Sequence, residues 1–252
     1  MLELLADTTL DLARSGARHG LGVFETIRIE NGWPLRLGLH HERLSRGTEF
    51  LGLDEPPDLE SLRDFLAGET PCGALDLGVL RLVAVDGSLL AWAETMDAET
   101  PVSVEAGVAG EFRRFSGSPL NRHKTLSYLE NSRLAREAAN QGLFELVALN
   151  EHERLTDGSR TSMLLVSGNE ILTPPVADGA LPGTMRELLL RAGLVREQSM
   201  GLRELREADA VILCNALREC VPVHEVRGIG PKDPDPPILA RMRQAVEDNK
   251  GL

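Results

Sequence analysis

The sequence contains very little lysine. Only three of its 27 basic residues are lysines, and two of them, Lys232 and Lys250, lie in the charged C-terminal part of the 252-residue chain. Lys124 is therefore alone in the body of the sequence. An amine can lose a proton and attack a carbonyl carbon, which a guanidinium cannot do. Because the chain otherwise carries its positive charges on arginine, Lys124 is a candidate nucleophile.

Other absences exclude whole classes of protein. Three cysteines without a CxxC pair, and scattered histidines, argue against a disulfide framework or a metal site. A net charge of −12 disfavours nucleic acid and anionic membranes as partners. No apolar run is long enough to span a membrane, and residues 1–13 lack the basic flank of a signal peptide. We expect a cytoplasmic protein that binds a small molecule, with local arginines if that molecule is anionic.

Hydrophobic periodicity and turn residues predict a first α+β domain over residues 1–110. Residues 22–37 and 79–93 each read as a hairpin, because Asn31-Gly32 and Asp86-Gly87 favour type I′ turns. Residues 40–51 have helical spacing and end at Gly52, and Asp58 is a candidate cap for a second helix. A strand is expected near residues 102–108.

The second half predicts a mixed α/β domain over residues 122–252, after a linker at 111–121 that is rich in glycine, serine and proline. Helices are expected at residues 129–140, 185–192 and 238–247, and strands at 145–149, 163–166, 171–173 and 210–214. The fold class is therefore α+β followed by mixed α/β, in two domains.

Tyr128, the only tyrosine, follows Lys124 by four residues. If the segment enters a helix, this spacing places the amine and the phenol on one face, where the phenol can hydrogen-bond whatever the amine holds. The alternative is an exposed lysine beside a half-buried tyrosine.

Two further segments are candidates for binding an anion and a ring nitrogen. Gly183 precedes a predicted helix, so the N–H groups of Thr184 and Met185 can face a phosphate, and Arg43 can clamp the same group. Asp157 lies in a turn between strands and can hold a proton on a heterocyclic nitrogen. Each residue also has an ordinary structural interpretation. Gly183 can simply begin a helix, Arg43 can be an exposed helical arginine, and Asp157 can lie in a surface turn.

Six segments in the same order resemble the class IV pyridoxal-phosphate (PLP) enzymes, which include branched-chain aminotransferases, D-amino acid aminotransferases and 4-amino-4-deoxychorismate lyase. They cover residues 22–26, 40–44, 124–128, 155–160, 183–186, and 215–217 with 222–223. The resemblance implies a two-domain fold type IV homodimer with Lys124 as the lysine that binds the cofactor covalently. It implies further cofactor contacts from Arg43, Tyr128, Asp157, Gly183, Thr184, Met185 and Ala216.

Details of the motifs resemble the lyase more than the aminotransferases. Lys-Thr-Leu-x-Tyr at 124–128, Gly-x-Met-Arg at 183–186 and Asn-Ala-Leu at 215–217 are lyase-like, whereas Asp157 replaces the usual glutamate and Ser162-Met163 the usual Asn-Leu. The resemblance implies conversion of 4-amino-4-deoxychorismate to 4-aminobenzoate and pyruvate in folate biosynthesis. Candidate substrate contacts are Thr26, Arg28, Arg160 and Asn215. The alternatives are an aminotransferase for branched-chain or D-amino acids, and a non-catalytic binding protein on the same fold.

Overall fold

The computed structural model describes residues 1–6, 9, 13–96 and 100–252. They form two compact units, of which the first comprises Met1–Ala98, His123–Tyr128 and Asn249–Leu252, and the second Glu99–Arg122 and Leu129–Asp248. This division differs from the predicted domains. Residues 111–114 of the expected linker are the end of a strand, and the segment that carries Lys124 belongs to the first unit.

The first unit contains a five-stranded sheet in the part of the chain that the structure describes, in the order β1-β5-β4-β2-β3. The strands are β1 (Glu3–Leu5), β2 (Gly22–Glu30), β3 (Trp33–Pro34), β4 (Leu77–Val85) and β5 (Ser88–Thr95). Asn31, Gly32, Asp86 and Gly87 all have positive φ, which a type I′ turn requires at both central residues. Both predicted hairpin turns are therefore confirmed, although β3 is only two residues long.

Two helices, α2 (Leu37–Leu51) and α3 (Leu59–Glu69), pack on one face of this sheet. The unit also contains α1 (Ser15–His19) and a 3-10 turn at Pro71–Ala74. The Asp58 side chain accepts from the Ser61 N–H, and Gly52 ends α2 in the left-handed conformation, as predicted. A Cβ added to Gly47 would lie 2.7 Å from Val23 Cγ1, so glycine allows α2 to lie close against β2.

The second unit contains a nine-stranded sheet within its described residues, with the order β11-β10-β9-β12-β13-β6-β7-β8 and β14 paired with β13. Its strands are β6 (Val104–Arg114), β7 (Glu145–Asn150), β8 (Leu155–Gly158), β9 (Ser162–Ser167), β10 (Glu170–Thr173), β11 (Arg196–Glu197), β12 (Ala210–Asn215), β13 (Glu219–Val226) and β14 (Gly230–Pro231). β7, β9 and β12 are buried along almost their whole length, as expected for central strands covered on both faces.

Four helices pack in the second unit: α4 (Leu129–Asn140), α5 (Thr184–Arg191), α6 (Leu202–Glu207) and α7 (Pro237–Asp248). α4 has the predicted limits, and α5 and α7 begin and end within one residue of the prediction. The side chains of Leu134 and Ala138, one turn apart on α4, pack with Leu143 and Leu146 in a small core. Burying a leucine side chain of this kind stabilises the fold by about 1.5–3 kcal/mol.

Candidate active site

The Lys124 amine lies among aromatic rings in the first unit. Its Nζ is 3.4 Å from the Tyr128 hydroxyl oxygen, 4.2 Å from the centre of the Phe24 ring and 4.8 Å from the centre of the Tyr128 ring. The two rings meet edge to face with their centres 5.1 Å apart. The electron-rich faces of aromatic rings attract a cation at these distances. The arrangement therefore fixes the amine and shields it from water on two sides.

The segment through Lys124 is extended and not helical, although the predicted proximity of the amine and the phenol is confirmed. The Phe24 N–H donates to the Lys124 carbonyl at 2.9 Å, and the Leu126 N–H donates to the Gly22 carbonyl at 2.8 Å. Thr125 forms an antiparallel bridge with Val23. Residues 124–126 thus run beside β2, and α4 begins only at Leu129. Pairing with β2 places Phe24 beside the amine, which spacing along a helix would not have predicted.

The other two lysines have structural partners. Lys232 is buried, and its Nζ donates to the carbonyls of Arg206 and Ala208 at the C-terminal end of α6. Burial lowers its pKa, while the charge of Asp209 opposes that change. Lys250 pairs with Glu30 at 2.7 Å. Lys232 is therefore not part of an exposed charged tail. What distinguishes Lys124 as a candidate nucleophile is its aromatic environment more than the scarcity of lysine.

Arg43 belongs to a buried charge cluster in the first unit. Glu25 points from β2 into the core, where Arg43 Nε and Nη2 donate to its two oxygens at 2.7 and 2.6 Å. His40, one turn before Arg43 on α2, contacts the same carboxylate through Nδ1 at 2.6 Å. Because a carboxylate only accepts, the proton of this hydrogen bond lies on Nδ1. Glu25 thereby sets the orientation of Arg43.

The cluster shifts the pKa of each member. Burial alone would raise the pKa of Glu25, but the charges of Arg43 and His40 and their hydrogen bonds lower it to about 2. Burial lowers the pKa of His40, and the Glu25 charge only partly opposes this. Burial alone would lower the pKa of Arg43, but Glu25 raises it, with a smaller contribution from Tyr128. Glu25 and Arg43 are therefore charged near neutral pH.

These shifts predict that the protein loses stability in acid. The pKa values of Glu25 and His40 are lower in the folded chain than their ordinary values of 4.5 and 6.5, so protons bind the unfolded chain first. Stability should be full above pH 6.5, begin to fall as His40 titrates in the unfolded chain, and fall more steeply below pH 4.5. Glu25 alone accounts for on the order of 3 kcal/mol by pH 2. Urea unfolding between pH 8 and 3 measures this, and His40→Asn should remove the first step. A flat profile down to pH 4 would contradict the prediction.

Two predicted substrate residues lie on the Lys124 side of β2. Phe24, Thr26, Arg28 and Glu30 share its half-buried face, opposite to the buried Val23, Ile27 and Ile29. Arg28 Nε donates to Glu30 at 2.7 Å. Arg28 is therefore engaged in an ion pair with Glu30. Thr26 is on the same face as Phe24, as a contact near Lys124 requires.

Asp157 in the second unit is buried and faces an arginine. Arg114 Nε lies 3.0 Å from Asp157 Oδ1, although the N–H direction does not make a hydrogen bond. The Leu181 N–H donates to Oδ2 at 3.0 Å. Asp157 is thus not a residue of an exposed turn, and it links β8 to the segment before α5.

The N-terminus of α5 lies in the same unit. Gly183 is the residue before the helix, and no side chain caps it. A Cβ added to Gly183 would lie 2.6 Å from Ser162 Oγ, so only glycine fits beside that hydroxyl. The first N–H groups of a helix, here those of Thr184 and Met185, have no carbonyl partner within the helix and attract anions. Both side chains are buried, which leaves the backbone as the binding element.

A buried glutamate holds the turn that follows Asp157. Glu145 of β7 is fully buried and accepts from the N–H and hydroxyl of Ser159, the N–H of Arg160 and the hydroxyl of Thr161, at 2.7–3.1 Å. A Cβ added to Gly158 would lie 2.5 Å from Glu145 Cγ. The carboxylate and this glycine therefore determine the path of the backbone next to Asp157.

Glu145→Gln should destabilise the protein strongly. In the parent, buried donors face the two carboxylate oxygens of Glu145. The glutamine amide would place an NH₂ group against some of these donors, and leaving buried donors without an acceptor costs about 3 kcal/mol. Urea unfolding measures the loss. Glu137→Gln, at an exposed position on α4, is the matched control and should change stability by less than about 0.5 kcal/mol. Equal stabilities of the two variants would contradict the role of Glu145.

The turn from Asn215 to Glu219 is held by Asn215 itself. Its Oδ1 accepts from the N–H groups of Leu217 and Arg218 at 3.0 and 2.8 Å, and its Nδ2 donates to the Arg160 carbonyl at 3.2 Å. Arg160 lies over the Phe144 ring and donates to the Phe144 carbonyl. Asn215 thus shapes the turn that carries Ala216 and connects it to the turn after Asp157.

Four residues that contribute to these clusters were not singled out from the sequence: Phe24, Glu25, Arg114 and Glu145. For two of them, the sequence contained a pattern that could have indicated a buried functional residue. Glu25 and Glu145 are acidic residues within otherwise apolar strand patterns, and a buried acid is rare unless it is paired. Phe24 and Arg114 carry no local signal, because their partners come from distant parts of the chain.

The described residues include no group of three or more histidine, cysteine or acidic side chains suited to a metal ion. Among the same residues, no helix is both long and apolar enough to cross a membrane.

A shielded amine such as that of Lys124 is typical of enzymes that use a lysine as a nucleophile. The sequence comparison places the chain in such a family. Residues 22–226 match the amino-transferase class IV family. The chain therefore belongs to this family, whose members are PLP-dependent lyases and aminotransferases.

Named relatives are distant and differ in activity. A Methanocaldococcus jannaschii protein provisionally named a branched-chain-amino-acid aminotransferase is 27% identical over 246 residues, which cover 88% of this chain and 84% of the relative. The Bacillus subtilis aminodeoxychorismate lyase is 25% identical over 244 residues, with 88% and 83% covered. A crystal structure of a Legionella pneumophila protein, provisionally assigned as a 4-amino-4-deoxychorismate lyase, superposes with a TM-score of 0.88 at 22% identity and covers 98% of this chain and 99% of the other. At that identity it shows the fold alone, which is fold type IV as predicted.

Each unit, taken by itself, offers groups of the kind that PLP requires. Lys124 offers an amine held beside a phenol, Arg43 offers a guanidinium fixed by Glu25, and Gly183 leaves room at an uncapped helix start. Asp157 offers a buried carboxylate next to the Arg114 cation. These are an amine for the aldehyde, two kinds of donor for the phosphate, and a carboxylate for the ring nitrogen.

Proposed function

We propose that this protein is a PLP-dependent lyase that converts 4-amino-4-deoxychorismate to 4-aminobenzoate and pyruvate. The observation that carries the proposal is the Lys124 amine held 3.4 Å from the Tyr128 hydroxyl and 4.2 Å from the centre of the Phe24 ring. The Asn215-Ala216-Leu217 turn and the named lyase relative favour the lyase within the family. We also propose a cytoplasmic homodimer, following the family resemblance.

The residues have distinct roles in this proposal. Lys124 binds the cofactor covalently, Arg43 and the N–H groups of Thr184 and Met185 bind its phosphate, and Asp157 holds a proton on its ring nitrogen. When bound, PLP supplies an aldehyde that captures the substrate amine and a ring that draws electrons from the neighbouring carbon. The Asp157 carboxylate, which lies 3.0 Å from the buried Arg114 guanidinium, would pair with the protonated ring nitrogen.

The substrate amine would replace Lys124 on the cofactor, which would free the Lys124 amine to act as the base. Its Nζ takes the proton from the substrate carbon that carries nitrogen, and the Tyr128 hydroxyl beside it limits the directions that the amine can adopt. The C–O bond to the enolpyruvyl group breaks and the substrate ring becomes aromatic. The leaving enolpyruvate gains a proton to become pyruvate. Thr26, on the same face of β2 as Phe24, is the proposed polar contact to the substrate, with Arg28 and Arg160 near its carboxylates.

An aminotransferase on the same scaffold is the second candidate, because relatives of similar identity include D-amino acid and branched-chain aminotransferases. One pair of assays separates the two. The protein supplied with PLP is incubated with aminodeoxychorismate alone, and then with amino donors and 2-oxoglutarate. Pyruvate and 4-aminobenzoate formed without any oxo acid support the lyase. Amino transfer without pyruvate release would reject it in favour of the aminotransferase.

A further inference from the structure

The first unit contains a cavity that shares no lining residue with the surroundings of Lys124. Its volume is about 540 Å³, and it lies among the Asn31-Gly32 turn, the start of α2, α3 and the 3-10 turn at Pro71–Ala74. Ligand sites of proteins have volumes of about 300–1,000 Å³ and are mostly apolar with a few polar groups. The cavity is therefore of a size that suits a small molecule.

The wall of the cavity is apolar and packed. Leu35, Leu37, Leu66 and Cys72 line it, and each is less than one tenth exposed. Burial raises the pKa of the Cys72 thiol, so this thiol is a neutral apolar contact near pH 7. These side chains belong to the core of the unit, which makes the wall rigid. An apolar ligand group would replace water there without any rearrangement of the wall.

The rim combines an aromatic ring with cations. Trp33 lines the cavity and is 72% exposed. Arg63 and Lys250 also line it, and no acidic residue in the described part of the chain does, although acids outnumber bases 39 to 27 in the whole chain. Lys250 pairs with Glu30. Within the described residues, Arg63 has neither a hydrogen bond nor an ion pair. A ligand carboxylate would supply the partner of that guanidinium.

We propose that this cavity binds a small aromatic carboxylate. The ring lies against Trp33 and the apolar wall, and the carboxylate pairs with Arg63. An exposed indole offers stacking, and a carboxylate matches the positive charge of the rim. Binding here does not depend on the proposed lyase activity. The 4-aminobenzoate product of that activity has the same chemistry and is one member of this ligand class.

Trp33 allows a direct test, because the chain has only two tryptophans. In the Trp92→Phe background, the emission of Trp33 is followed during titration with benzoate, 4-aminobenzoate, benzamide and benzylammonium. We expect a saturable change with benzoate and binding at least about tenfold weaker with benzamide, since 1.4 kcal/mol corresponds to a factor of ten. Benzylammonium should produce no saturable change. Tighter binding of 4-aminobenzoate than of benzoate would indicate that the product is the natural ligand. Equal binding of the two would indicate a site for small aromatic carboxylates in general.

Variants identify the site. Arg63→Gln should weaken benzoate binding at least about tenfold, and Ala67→Phe, on the wall of the cavity, should abolish it, as measured by calorimetry. Arg46→Gln removes an exposed arginine of α2 outside the cavity and should bind benzoate like the parent. Circular dichroism melting confirms that each variant is folded. No saturable response up to about 10 mM benzoate, or equal binding by Arg63→Gln, would overturn the proposal. Neither result would affect the lyase assay.

Discussion

Lys124→Ala should abolish turnover. The amine is the proposed covalent anchor and the base, and a positioned base alone contributes about 10²–10⁴ in rate. Lys124→Arg should be equally inactive, because it keeps the positive charge near Phe24 and Tyr128 but not a nucleophilic amine. Steady-state formation of pyruvate and 4-aminobenzoate measures both variants.

The control for this pair is Arg203→Ala, which removes a strongly exposed cation paired with Glu204 and should keep full activity. Activity of Lys124→Arg above one hundredth of the parent value would mean that charge, and not nucleophilicity, is what position 124 contributes. Full activity of Lys124→Ala would reject both enzyme candidates.

Glu25→Gln should cause the largest loss of stability among the changes considered. The substitution leaves the guanidinium of Arg43 buried without its charged partner, and breaking a buried ion pair in this way costs about 3–5 kcal/mol. Affinity for PLP should fall as well, because Glu25 fixes the orientation of Arg43, the proposed phosphate ligand. Urea unfolding of the protein without cofactor measures the first effect, and titration with PLP the second.

A double variant tests whether the loss arises from the pair. Glu25→Gln combined with Arg43→Met removes both charges and should be more stable than Glu25→Gln alone, since an uncharged pair avoids the buried lone cation. Glu94→Gln, which breaks the exposed pair with Arg81, should cost less than about 1 kcal/mol. If the losses of the Glu25 and Arg43 variants simply add, the two residues are not coupled and the explanation is wrong.

Local signals predicted much of the fold. The periodicity of residues 129–140 gave the limits of α4, and Asn31-Gly32 and Asp86-Gly87 gave both turns of the first sheet, because these properties depend on neighbouring residues alone. β6 is longer than predicted because it continues past the irregularity in its pairing with β7. β13 was not predicted, since it contains Pro222, which pairs with Ile212 inside the sheet, and proline is rare in strands that are not at an edge.

The candidate site was harder to predict, because its geometry depends on long-range pairing. Lys124 and Tyr128 are neighbours, but through an extended segment bound to β2 and not through a helix. Asp157 was expected in a turn, yet its burial and its contact with Arg114 follow from the position of β6 beside β7. The chemical types of the residues were readable from the sequence, whereas their partners required the fold.

The central claim is that Lys124 binds the cofactor covalently. Its most direct test uses the fact that the chain has only three lysines to distinguish. The protein is supplied with PLP, reduced with borohydride and digested, and the masses of the peptides are measured by mass spectrometry. The added cofactor mass should appear on the peptide that contains Lys124 and be absent from those containing Lys232 and Lys250. Cofactor mass on either of these two lysines, or on no peptide at all, would contradict the account.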